Sequence, residues 1–154
     1  MANGVYNRGK YLVGQTNLSG LTLHAMLVTT GYTFNQDHNT IDDGTTDDPK
    51  SYEITVSGYS RQALASITLN EDDSNDFSYL DAADISTFGN LAAGQTVGWA
   101  ILTRYSSSGG TTSDTGQDLV SYYELTATPT NGGAIGLTWA SSSAGGVLKL
   151  GTTS

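Results

Sequence analysis

The sequence predicts an all-β fold, an antiparallel β-sandwich with a jelly-roll-like arrangement as one form of it and at most a short N-terminal helix. Three observations lead there. Short segments in which apolar residues alternate with polar ones recur along the chain, the period of a strand with one face turned inward. Turn-forming clusters such as Pro129-Thr130-Asn131-Gly132-Gly133 and Ser143-Ala144-Gly145-Gly146 separate them. Nine Tyr, two Trp and 19 Gly, with many Val, Ile and Thr, make a composition of strands punctuated by turns rather than of a charge-driven disordered chain.

From the N-terminus, residues 7–13 suit a short helix, which Gly9 and Gly14 weaken by about 1 kcal/mol each relative to Ala. Residues 21–28 form the first core strand, with Leu21, Leu23, Ala25 and Leu27 alternating with Thr22, His24, Met26 and Val28. Residues 33–50 hold Asp37, Asp42, Asp43, Asp47 and Asp48 together with Gly44 and Pro49. Like charges and chain breakers predict a long exposed excursion there. Ile54 and Val56 share one face of a strand over 52–57, Gly58 ends it, and a further strand covers 62–69. The acidic run Glu71-Asp72-Asp73-Ser74-Asn75-Asp76 turns the chain into residues 77–80, which makes a hairpin the economical reading.

Residues 81–88 fit a short strand or a turn of helix, because Asp84, Ile85 and Phe88 also match a 3.6 period; the strand is preferred. In 96–105, Val97, Trp99 and Ile101 alternate with Gly98, Ala100 and Leu102 and leave almost no polar face, as expected of a central strand covered on both sides. Residues 106–117, SSSGGTTSDTGQ, read as a loop that orders against a partner. Strands over 119–127, 134–140 and 147–150 complete the set. Trp99 and Ile101 are expected to pack against Leu27, Ile67, Leu125 and Trp139. The organisation is an N-terminal arm or short helix over residues 1–20, then one β-sandwich domain over residues 21–154.

Composition narrows the function classes. Without Cys, a disulfide framework and a thiolate metal site are excluded. No apolar run approaches the ~20 residues of a membrane-spanning helix, and MANGVYNRGK has no apolar signal block, so no membrane association is expected. A net charge of −9 argues against nucleic acid as a partner and, on a nucleoprotein particle, for a place outside.

The catalytic inventory is thin, and no enzyme and no cofactor are expected. A nucleophilic Ser or Thr needs a base within reach, and the two imidazoles are His24, inside the first strand, and His38, in the acidic loop. Glycoside hydrolysis needs one carboxyl in an apolar pocket, whereas the acids here cluster in turns. Glu53 and Glu124, read as the acids inside strands, are most simply solvent-facing. Two acidic groups, Asp42-Asp43 with Asp47-Asp48 and Glu71-Asp72-Asp73 with Asp76, have the hard oxygen donors that Ca²⁺ prefers, so Asp42, Asp43, Asp47, Asp48, Asp72 and Asp76 are weak ligand candidates. Neither group has the spacing of an EF-hand loop, and solvated acidic turns are the simpler reading.

Four segments together, MANGVYNRGKYL, LTLHAMLVTTGYTFNQDHNTIDD, VSGYSRQALASITLNEDDSNDFSYLDAADISTF and NGGAIGLTWASSSAGGVLKL, resemble small virion structural proteins of tailed bacteriophages. The similarity runs through nearly the whole chain, with gaps at 45–50 and 106–117. The resemblance implies a capsid decoration or cement protein that sits on the outer surface of the capsid, binds the major capsid protein and acts as a homo-oligomer, a trimer being expected. Relatives have a fuller N-terminal helix, and no catalytic residue carries over. A tail, neck or fibre component is the alternative within that class. A host-glycan-binding adhesion module is the alternative outside it, for which Tyr59, Tyr105, Tyr122 and Tyr123 would supply an aromatic platform.

Overall fold

The computed structural model describes residues 3–15, 20, 22–75, 77–105, 113–140 and 146–150. Among them are eight strands in two antiparallel sheets and one α-helix, an all-β sandwich with a short N-terminal helix. The elements are β1 (Asn3–Val5), α1 (Asn7–Gln15), β2 (Leu23–Thr29), β3 (Gln62–Ala63), β4 (Thr68–Asp72), β5 (Phe77–Asp81), β6 (Thr96–Arg104), β7 (Asp118–Pro129) and β8 (Leu148–Leu150). Five strands pair in the order β1-β7-β6-β2-β3 and three in the order β4-β5-β8.

The most apolar segment of the sequence is β6, and it lies mid-sheet between β2 and β7, where both of its faces are covered. On one face Leu23, Ala25 and Leu27 of β2, Ala100 and Leu102 of β6 and Val120 of β7 join Leu80 and Leu148 of the smaller sheet. On the other, Met26, Val28, Ile101 and Leu119 meet Tyr6, Tyr32 and Ile41. A register shift between Val97 and Trp99 sends Val97 to the first face and Trp99 to the second, against simple alternation. Trp99 and Ile101 therefore lie across the sheet from Leu27, Ile67, Leu125 and Trp139, not in contact with them as the alternation had implied.

The second face is sealed by the segment expected to be an exposed excursion. Charge density misled there, because Phe34 and Ile41 within the segment and Tyr32 and Tyr52 at its borders pack. Tyr32 and Ile41 are buried, Phe34 stacks on Tyr122 at 3.7 Å, and Tyr52 meets Tyr32 edge-on. His38 and Asp48 are buried with them.

Other boundaries differ for identifiable reasons. Residues 52–57 make one bridge, Val28 to Glu53, because the chain leaves a 3₁₀ turn (Pro49–Tyr52) just before and turns again at Gly58. The strand read over 62–69 is two strands in different sheets. Between them Ser66 takes a positive φ of 55°, uncommon for a residue with a side chain, and the chain crosses from one sheet to the other. The acidic turn closes a hairpin of β4 and β5, as expected, with Glu71 and Asp72 inside β4. Residues 82–88, past the end of β5 at Asp81, and residues 134–140 are not strands. They face each other through isolated bridges, Ile85 to Leu137 and Asn90 to Ala134, with Phe88 N–H donating to Ile135.

At the N-terminus β1 pairs with β7, Tyr6 is fully buried, and α1 lies against β7. Gly9, a weakness in an isolated helix, has a purpose here. A Cβ at that position would come within 2.9 Å of the Val120 carbonyl carbon and closer still to its oxygen, so only glycine lets the helix backbone rest on the strand.

Candidate functional site

Among the described residues, His24, Arg61, Thr103, Tyr105, Asp114 and Gln117, scattered in sequence, line a cavity of about 280 Å³. Sheet register assembles most of it. His24 of β2 pairs with Thr103 of β6 on one side and Ala63 of β3 on the other, which brings Arg61 and Tyr105 alongside. Asp114 and Gln117 arrive on and just after the 3₁₀ turn Asp114–Gly116 that leads into β7.

Arg61 organises the site. Its Nε and one terminal nitrogen grip the two oxygens of Glu53 at 2.7 and 2.6 Å, and the other terminal nitrogen bonds Asp114 Oδ1 at 2.6 Å. Such a fork holds its partners in a plane as well as by charge. Lys50 takes the remaining oxygen of Asp114, and the Tyr59 hydroxyl donates to Glu53 at 3.0 Å while accepting the Leu27 N–H. Two cations thus serve these two carboxylates, with Asp42 a third at 3.9 Å from Lys50. Burial pushes the Asp114 pKa up, but the bonds and charges of Arg61 and Lys50 outweigh it and hold the carboxyl below the usual range. Burial, then the charge of Arg61, lowers the pKa of His24, which stacks on Tyr105 with ring centres 4.5 Å apart.

Gln117 is a further polar group on the wall. It is 2% exposed, and its backbone is held by Ile41 and Asp114. Glu53, read as a solvent-facing strand residue, is a partner of Arg61 with 14% of its side chain exposed. Scarcity was the available signal. The chain has six Lys and Arg, and four of them, Arg8, Lys50, Arg61 and Arg104, are in ion pairs.

A second charged cluster forms at the start of β7, where the buried Asp118 is shared by Arg8 of α1 and Arg104 of β6. It pins the helix to the sheet.

The acidic candidates stay apart. Asp43 accepts the N–H groups of Asn39 and Thr40, and Asp42 that of Gly44. Asp48 caps the 3₁₀ turn through the N–H and hydroxyl of Ser51, and Asp72 holds its turn through Ser74 and Asn75. Asp47 is largely exposed, 3.8 Å from His38, and Asp76 lies outside the described residues. Among the described residues no three His, Asp or Glu side chains gather as a metal-binding group. The four tyrosines form no common platform: Tyr59 and Tyr123 pack in the core beside the smaller sheet, Tyr122 packs on the opposite face, and Tyr105 is at the cavity. Among the described residues neither imidazole bonds a Ser or Thr hydroxyl. Residues 106–112 of the Ser/Gly/Thr segment lie outside the described residues.

Comparison with known proteins gives no match, whether to protein-family models, to curated proteins or to solved structures.

Proposed function

We propose that this chain is a structural protein of a tailed-phage virion, a capsid decoration protein that binds the outer surface of the mature shell as a homo-oligomer, with a trimer as the expected state. The observation that carries the reading is the resemblance of the four sequence segments to such proteins. The geometry supports it by the use made of the functional groups: the carboxylates cap turns or neutralise cations, and both faces of the larger sheet are sealed by this chain's own residues. These are features of a scaffold. An oligomer touching several identical capsid sites gains affinity because each later contact forms at high effective concentration.

The test mixes purified protein with undecorated, expanded capsids, then measures occupancy, the thermal stability of the shell and the mass of the free oligomer by light scattering. Saturable binding that raises the shell's melting temperature is expected. A monomer that leaves shells bare and co-purifies with tails or necks would replace the capsid reading with the tail-component one.

A further inference from the structure

We infer that the cavity beside Arg61 is a binding site for a neutral, hydroxyl-rich ligand the size of one sugar ring. The inference stands apart from the capsid reading and rests on the charge pairing, the donors and acceptors on the wall, and the shape of the site.

Charge decides the class first. Among the described residues Arg61 is the full cation on the wall, and it is already matched by Glu53 and Asp114, the latter shared with Lys50, which also faces Asp42 at 3.9 Å. A carboxylate or phosphate entering the cavity would compete with these two acids for the same guanidinium. An entering cation would find Asp114 with each oxygen occupied. Desolvating a charged ligand without a free counter-charge is costly, so the site favours a neutral one.

The hydrogen-bonding groups on the wall are of both kinds, donor and acceptor. Each terminal nitrogen of Arg61 uses one N–H on its carboxylate and keeps a second. Gln117, buried on the cavity wall, carries an N–H₂ donor and a C=O acceptor. Thr103 gives its hydroxyl proton to the His24 carbonyl at 3.3 Å, which leaves its oxygen lone pairs to accept. A hydroxyl both donates and accepts, and a ring carrying several of them matches such a mixed wall. An apolar guest would displace water from these polar groups without replacing its hydrogen bonds, whereas a hydroxylated one replaces them.

The remaining wall is aromatic. Tyr105, stacked nearly parallel to His24 at 12°, gives the cavity an apolar surface with a polar tip. The C–H-rich face of a pyranose packs on such a surface while its equatorial hydroxyls reach the planar side chains at the side. At about 280 Å³ the cavity falls just below the roughly 300–1,000 Å³ of pockets for drug-sized ligands, which limits the guest to one ring.

The experiment titrates the full-length ¹⁵N-labelled protein with methyl glucoside, methyl galactoside and N-acetylglucosamine, with acetate and inorganic phosphate as anionic probes, following the amide spectrum. At least one sugar should saturate shifts of the Gln117 side-chain amide and of the Tyr105 and Thr103 backbone signals, with millimolar affinity, while acetate and phosphate leave them in place. Gln117→Ala should weaken binding at least tenfold. Because Gln117 is buried, Tyr105→Leu serves as the second variant and should weaken binding comparably while the amide spectrum stays dispersed. Three results would each overturn the inference: no sugar shifts these signals, an anion shifts them in its place, or the folded variants bind as tightly as the parent.

Discussion

Replacing Gly9 by Ala sets two physical effects against each other, and the structure says which wins. In an exposed helix the change would stabilise by about 0.8–1.0 kcal/mol, because Gly is the poorer helix former. Here the new methyl would lie 2.9 Å from the carbonyl carbon and 3.0 Å from the Cα of Val120, and nearer still to the carbonyl oxygen. Carbon atoms in good contact sit roughly 3.5–4.0 Å apart, so helix and strand must part by more than about half an ångström. Backbone is on both sides, and no side chain can swing away. Overpacking of this kind costs about 1–3 kcal/mol. The separation also stretches the Tyr6 N–H to Val120 carbonyl bond of 3.1 Å, worth about 0.5–1.5 kcal/mol. Set against the propensity gain, the net expectation is a loss of about 1–3 kcal/mol. Urea unfolding followed by tryptophan fluorescence reads it as a lower midpoint at unchanged slope. A Gly9→Ala protein as stable as the parent, or more stable, would show that α1 does not rest on β7, and the placement of the N-terminal segment would fall.

Ile101→Ala and Leu102→Ala, on opposite faces of β6, should each cost about 2–5 kcal/mol in the same assay; an Ile101 cost under about 1 kcal/mol would mean that the segment around Tyr32 and Ile41 does not seal its face. Asp118→Asn removes the charge shared by Arg8 and Arg104 and should cost about 1.5–3 kcal/mol, the range for hydrogen bonds to charged groups and below the ~3–5 kcal/mol of a fully buried pair, since both arginines are partly wet. Asp118→Asn without measurable cost would show the cluster to be incidental. His24, with a folded pKa lowered by burial and by Arg61, contributes stability that is fully present above its unfolded value of 6.5 and is lost as pH falls below it toward the folded value. The melting temperature of His24→Gln should therefore fall less than the parent's between pH 7.5 and roughly 5, with parallel curves refuting the assignment.

How much could be read from the sequence depended on whether a residue's partner followed from its neighbours. The central strand, β7 and the hairpin of β4 and β5 were legible because alternation and a turn signal are local. The crossing at Ser66 was not, since Gln62 to Leu69 alternates straight through it and serine gives no warning of a positive φ. The paired segments around Ile85 and Leu137 show strand-like patterns because they lie against each other, but their bonds come singly and no ladder forms. The cover over β6 was hidden by its acids. Asp43 and Asp48 spend their charge on the loop's own N–H groups, which is how so acidic a segment packs at all. The cavity was illegible for a different reason. His24 and Thr103 meet only because β2 and β6 are register partners, and a register joining residues this far apart in sequence leaves no mark at either one.

The placement of the few cations connects these features. A chain with fifteen Asp and Glu against six Lys and Arg has little positive charge, and it uses that charge at seams. Arg61 and Lys50 fasten the cover of the larger sheet to the turn before β7, and Arg8 and Arg104 fasten α1 to the strands beneath it through Asp118. Ion pairs in such places add little net stability over apolar packing, but once formed they penalise every arrangement that separates them, so they fix which segment lies on which. The outer surface is left strongly acidic. Any partner that approaches it must bring its own Lys and Arg, or bond through hydroxyl and backbone groups, because Lys10 and Lys149 are the cations outside the seam clusters. Under the capsid reading the recognising charge then belongs to the shell, and copies of this chain displayed side by side repel one another within a Debye length of about 8–10 Å while each is held by what lies beneath it.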